Sequence, residues 1–303
     1  MNKRHYSSAL IVIALVAAVM LIYSARDGLT EAISTASLHF LGLLYAATLT
    51  QNLTLWLVFH VSAGAGDAYL QTSKMHFGGQ VAKYLPGKVW GLVYQATLKS
   101  DTMPFGNIVQ GNIVIHALSV LSVVTASLAL IIYSFSMSIA VIVLLVGGGL
   151  SVYLMSSDHL YRIIQRFSRL STRFELTMAV PATDFSVGTR AGTYLILLLS
   201  YVLSNVFLLY AFFDLDLHEV LQLTAYLGIA WLAGVMVAIS PSGLGVREAV
   251  FIAIGYAGDA SSFELFASIA IVARAIQVLQ DLVSAFLVPT IVGLAYKKNE
   301  AGA

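Results

Sequence analysis

Long apolar blocks recur along the chain from Ala9 to Ala295, separated by polar stretches too short to form a soluble domain. A bilayer core of about 30 Å takes roughly 20 apolar residues per helix, which is the length of these blocks. Inside hydrocarbon every backbone N–H and C=O must be satisfied within the segment, so such blocks fold as helices. Charged residues make up 10% of the sequence and hydrophobic ones 59%, whereas an ordinary soluble chain carries about 25% charge. The expected fold class is therefore an all-α polytopic membrane protein.

The blocks predict spans at about Ser8–Ser24, Leu38–Val61, Asn107–Tyr133, Ser138–Met155, Ala191–Phe213 and Val220–Ile239, and a last block at Phe263–Tyr296 that is long for one crossing. Lys3 and Arg4 precede the first, but Tyr23-Ser24-Ala25 offers no small-x-small cleavage site, so an uncleaved span is expected. Two stretches interrupt the pattern. Asp67–Ser100 carries Lys74, His76, Lys83, Lys88 and Lys99 and is broken by Gly78-Gly79 and Pro86-Gly87; the second break is Ser240-Pro241-Ser242-Gly243. The chain thus reads as one membrane domain of two related halves, 1–156 with a break near 86 and 190–303 with a break near 241, joined by a polar segment at 157–189. Each half is expected to hold a broken, re-entrant helix, for about 7–8 transmembrane helices in all.

Lys and Arg mark the cytoplasmic side of a membrane protein. Lys3, Arg4 and the loop with Arg162, Arg166, Arg169 and Arg173 predict a cytoplasmic N-terminus, and the Asp214–Glu219 hairpin, free of Lys and Arg, predicts the outer face. Lys297 and Lys298 also want the inside. That parity needs one further crossing, from either the second break or the last block. The four arginines of 157–189 share one face of an amphipathic helix, which suits anionic head groups or merely sets topology.

Broken helices at membrane depth survive where they are buried in protein or line a wet cavity, and a pair in two halves points to a binding site. Helix N-termini and intramembrane cations both favour an anion. Candidate substrate-binding residues are Lys83, Lys88, Trp90, Ser242, Arg247, Glu248 and Arg274. The plainer alternatives are a structural Glu248–Arg274 ion pair, snorkelling lysines, and Trp90 as an interface anchor. Asn52, His116 and Asn205 fall near mid-span, where interhelical hydrogen bonds are the ordinary expectation.

Net charge is +1 and gives no field to recruit nucleic acid; the absence of cysteine excludes disulfides and thiolate metal sites. No cofactor is expected. Asp214-Leu215-Asp216 is a DxD that suits a metal and a sugar phosphate, as in a membrane glycosyltransferase, or is simply an acidic hairpin. Gly188 and Gly192 form a small-xxx-small pair that leaves a homodimer open.

Lys83-Tyr84-Leu85-Pro86-Gly87-Lys88-Val89-Trp90-Gly91, Ser240-Pro241-Ser242-Gly243-Leu244-Gly245-Val246-Arg247-Glu248-Ala249 and the later Arg274 together resemble the lysylphosphatidylglycerol synthase transmembrane-region family, over nearly the whole chain. Members usually carry Pro-Gly-Gly where this chain has Pro241-Ser242-Gly243. The resemblance implies a flippase-like domain of the bacterial plasma (inner) membrane that moves or binds an anionic phospholipid or a polyprenyl-phosphate-linked lipid between leaflets. It implies a stand-alone member without the aminoacyl-transfer domain, hence no enzyme. A non-transporting partner subunit of a lipid-modifying enzyme is a further alternative.

Overall fold

The computed structural model describes residues 30, 32–34, 36–84, 89–100, 103–154, 186–237, 243, 245–258 and 263–301. The first expected span, the basic segment 157–189 apart from its last residues, and both Pro-containing break points lie outside the described residues. Nine helices are described, with no strand among the described residues: α1 Leu38–Ser62, α2 Tyr69–Ala82, α3 Trp90–Thr97, α4 Phe105–Tyr133, α5 Met137–Leu154, α6 Val187–Phe212, α7 Leu217–Met236, α8 Val246–Gly258 and α9 Phe263–Ala301.

Five of these, α1, α4, α6, α7 and α9, are long and apolar enough to cross a membrane; α5 is apolar but shorter. The protein is thus a multi-pass α-helical membrane protein. Leu145, Val146 and Ile142 of α5 are mostly exposed, as expected of side chains that face lipid rather than protein. The last apolar block is one continuous helix of 39 residues with Pro289 inside it, about 58 Å at 1.5 Å per residue. It does not double back, so the additional crossing does not arise there.

One correction concerns the first interrupted stretch. Gly78-Gly79 does not break the helix: α2 runs through both to Ala82. A Cβ on Gly78 would overlap the Tyr94 ring, and one on Gly91 would meet the Gly79 carbonyl oxygen at 3.0 Å. The glycines let α2 and α3 lie against each other, and this packing offsets their helix penalty of about 1 kcal/mol each. Beyond α7 the turn is made by Gly243 at φ 71° and Gly245 at φ 82°, left-handed values at which any side chain is strained.

Packing joins helices of the first half of the chain to helices of the second. α1 lies along α6, α2 along α9, and α7 along α4. Small residues set the close approaches: a Cβ on Gly111 would sit 2.7 Å from Phe59 Cδ2, and one on Gly228 would overlap Ser127 Oγ. One apolar core gathers Phe59, Met75, Met103 and Ile108 from the first part of the chain. A second gathers Leu209, Val220, Phe251 and Ile269 from the last part. Between these cores the helices leave a cavity.

Candidate functional site

The cavity has a volume of about 640 Å³ and is lined from α1, α2 and the segment that follows it, α4, α6, α7, Gly243, α8 and α9. Its charged residues are Lys83, Arg247, Glu248, Arg274 and Asp281. Three cations against two carboxylates leave one formal positive charge.

α9 supplies the frame. Arg274, Gln277 and Asp281 fall at i, i+3 and i+7, one face of a helix. Arg274 Nη1 donates to Gln277 Oε1 at 3.4 Å, and Arg247 Nη1, from the first turn of α8, donates to the same oxygen at 3.3 Å. Both neighbours are donors, so the Gln277 amide must turn its oxygen toward them. Two like charges are thus held together by one neutral acceptor.

Arg247 is positioned by glycine. A Cβ on Gly234 would overlap Arg247 Cγ and lie 2.7 Å from Nε, and one on Gly243 would lie 2.8 Å from Nε. The stem of Arg247 therefore runs through a slot formed by the end of α7 and the following turn. Its Nε is buried there with no hydrogen-bond partner among the described residues, while its charge lies 5.6 Å from the centre of the Trp231 ring.

Glu248 has two tasks. Its Oε2 accepts from the Gly245 N–H at 2.7 Å, the return half of a capping box from the third helical position. Its Oε1 lies 3.8 Å from Arg274 Nε. At the N-terminus of α8 the chain's own carboxylate thus takes the N–H of the residue that precedes the helix.

Lys83 sits just past the end of α2. Its Nζ lies 2.9 Å from Asp281 Oδ2 and donates to Gln80 Oε1 at 2.6 Å. Tyr84 Oη donates to the same Asp281 oxygen at 2.6 Å, and its ring centre lies 5.3 Å from the Arg274 guanidinium. Asp281 is 7% exposed at the side chain, so this carboxylate ties the end of α2 to α9 away from bulk water.

Of the residues singled out from sequence, Lys83, Arg247, Glu248 and Arg274 meet in the cavity. Trp90 does not: it opens α3, 43% exposed, outside the cavity lining. The reason is that α3 is held by its packing on α2 and α4, which keeps its first turn off the cavity. Lys88 and Ser242 lie outside the described residues, as do Arg162, Arg166, Arg169 and Arg173. The sequence reading missed Asp281, Gln277, Tyr84 and Trp231 as partners. Asp281 was visible as a carboxylate in an apolar block, and its seven-residue spacing from Arg274 was the available signal.

Asn52, His116 and Asn205 also line the cavity. Asn205 Nδ2 donates to its own helix, at the Tyr201 carbonyl, and Asn52 makes no hydrogen bond to a described residue. Asn52 and Asn205 are thus cavity lining rather than the interhelical links expected of them. At the other predicted site, Asp216 and Glu219 form a reciprocal capping box at the start of α7, at 2.8 and 2.9 Å. That engages one carboxylate of the DxD, and no cluster of three metal-ligating side chains occurs among the described residues.

Arginines converging in an apolar body suit an oxyanion with several acceptor oxygens: a phosphate matches forked guanidinium donors better than a carboxylate or halide does. No family model, curated protein or solved structure matches the chain.

Proposed function

We propose that the protein is a flippase-like membrane protein that binds the phosphate of an anionic lipid in this cavity and passes it between leaflets. The carrying observation is that Arg247 and Arg274 converge on one amide oxygen inside a cavity with one excess positive charge. A charge in the middle of a membrane is costly and defaults to function. Acyl or prenyl tails remain in the bilayer, so only the head group needs a polar route, which avoids exposing the phosphate to hydrocarbon.

The packing pattern supports two inverted halves. In this reading α1 corresponds to α6, α2–α3 to α7–α8, and α4 to α9; α2 then packs on α9 as α7 packs on α4. The hairpin α2–α3 dips in from the cytoplasmic face and α7–α8 from the outer face. The second hairpin enters and leaves on the outer face, so α9 starts outside and ends inside with Lys297, as charge placement demands. Together with a crossing at Ser8–Ser24 this gives six full spans and two re-entrant hairpins, with a cytoplasmic N-terminus in a bacterial plasma membrane. The expectation of 7–8 spans counted α7 as a full crossing. The family resemblance points the same way. The capping role of Asp216 speaks against the glycosyltransferase alternative.

The test is reconstitution into liposomes with fluorescent phosphatidylglycerol and dithionite quenching from outside. Wild-type protein makes the inner-leaflet label accessible, and Arg247→Ala, with its fold verified by circular dichroism, abolishes this. Equal rates for protein-free and wild-type liposomes would refute the proposal.

A further inference from the structure

The cavity's polar groups are segregated by helix. All five Asp, Glu, Lys and Arg side chains come from the end of α2, from α8 and from α9, whereas α1, α4 and α6 contribute other polar groups, among them Gln51, Asn52, His116, Ser119, Ser204 and Asn205. α1, α4 and α6 contact one another and α2 and α8 contact α9, while α1 also packs on α2 and α9. The cavity's charged groups and its free amides therefore come from different helices that adjoin each other.

The amides of α1 have unused capacity. Gln51 and Asn52 make no hydrogen bond to any described residue, and each primary amide offers two donors and an acceptor. Polar groups inside an apolar helix that bond to nothing are costly, and adjacent amides facing a cavity match vicinal hydroxyls, which also donate and accept. An ammonium group finds no corresponding partner. Asp281 is already paired with Lys83 and Tyr84, Glu248 with Arg274 and the Gly245 N–H. The Trp231 and Tyr84 rings are already faced by Arg247 and Arg274.

We infer that the head group is a phosphate ester of an uncharged, hydroxyl-rich moiety, glycerol or a sugar. Its phosphate meets Arg247 and Arg274 while its hydroxyls meet Gln51 and Asn52. Zwitterionic and aminoacylated lipids are rejected. This inference rests on the reading of the cavity as a lipid head-group site.

The test is native mass spectrometry of the purified protein with equal concentrations of phosphatidylglycerol, phosphatidic acid and phosphatidylethanolamine. Wild type retains phosphatidylglycerol roughly tenfold over phosphatidic acid, the worth of one or two hydrogen bonds, and does not retain phosphatidylethanolamine. The double variant Gln51→Leu with Asn52→Leu binds phosphatidic acid as before and loses the preference; Asn52→Ala loses part of it. Phosphatidic acid binding by each variant reports that the cavity is intact. Equal retention of the two anionic lipids, retention of phosphatidylethanolamine, or a preference that survives both variants overturns the head-group inference alone. Retention of no anionic lipid by wild type overturns the proposed function as well.

Discussion

The backbone of Gly234 lies against the stem of Arg247, so closely that a methyl group on residue 234 would sit 2.7 Å from Arg247 Nε. The guanidinium is therefore aimed by an absence of side chain on a neighbouring helix. Gly234→Ala is expected to push Arg247 out of its slot while α7, which gains helix propensity from alanine, keeps its fold. Lipid transfer falls by about tenfold or more, equivalent to at least about 1.4 kcal/mol, with an unchanged helical circular dichroism spectrum.

Asp281 holds both Lys83 and Tyr84. Removing one partner of a buried pair costs about 3–5 kcal/mol, whereas replacing both with apolar groups is close to neutral. Asp281→Leu is expected to lower the melting temperature of the detergent-solubilised protein markedly. Lys83→Met combined with Asp281→Leu restores most of the loss, and a thermal melt of the single and double variants decides it.

Glu248→Gln separates the two tasks of that side chain. Glutamine keeps the bond to the Gly245 N–H, so the start of α8 is preserved, but a negative charge leaves the cavity. Anionic lipid is expected to bind several-fold to roughly tenfold more tightly and to be released more slowly, read as a lower dissociation constant together with a lower transfer rate. Glu248→Ala also loses the cap and costs a further ~1 kcal/mol.

His76 is 1% exposed, and neither ring nitrogen has a hydrogen-bond partner among the described residues. It packs against Phe59 and Phe77 with ring centres 6.0 and 5.0 Å away. Exchanging a buried, unpartnered polar group for an apolar one of similar size is neutral or favourable. His76→Leu is therefore expected to leave the melting temperature unchanged or to raise it, by up to about 1 kcal/mol of stability.

The helices were legible because lipid solvent imposes one backbone solution on every long apolar block. The ends of α1, α4 and α5 fall within about two residues of their expected positions, within ordinary fraying. Lys83, Arg247, Glu248 and Arg274 were legible because charge is so rare in this sequence that each instance stood out. What was hidden depends on three-dimensional pairing. That Lys83 joins Asp281, 198 residues away, follows from α2 packing on α9, which no local pattern encodes. Trp90 drew notice by adjacency to a motif, yet the packing of α3 keeps it off the cavity. Gly78-Gly79 looked like a break because glycine is costly in a helix, but its compensation lies on the neighbouring helix. Gln51 went unnoticed although it adjoins Asn52, since a neutral amide in an apolar run does not tell which face it lines until the lining is known.

Arg274, Gln277 and Asp281 ride on one uninterrupted rod, and Pro289 lies two turns beyond the last of them. A proline is where such a rod hinges, so the stretch that bears all three is stiff. Any tilt or slide of α9 consequently carries the cation, the shared amide and the carboxylate as a single plate. Through Asp281 the same displacement tugs on the end of α2, and through Gln277 on the start of α8, so these two helices are mechanically geared to each other by one shaft.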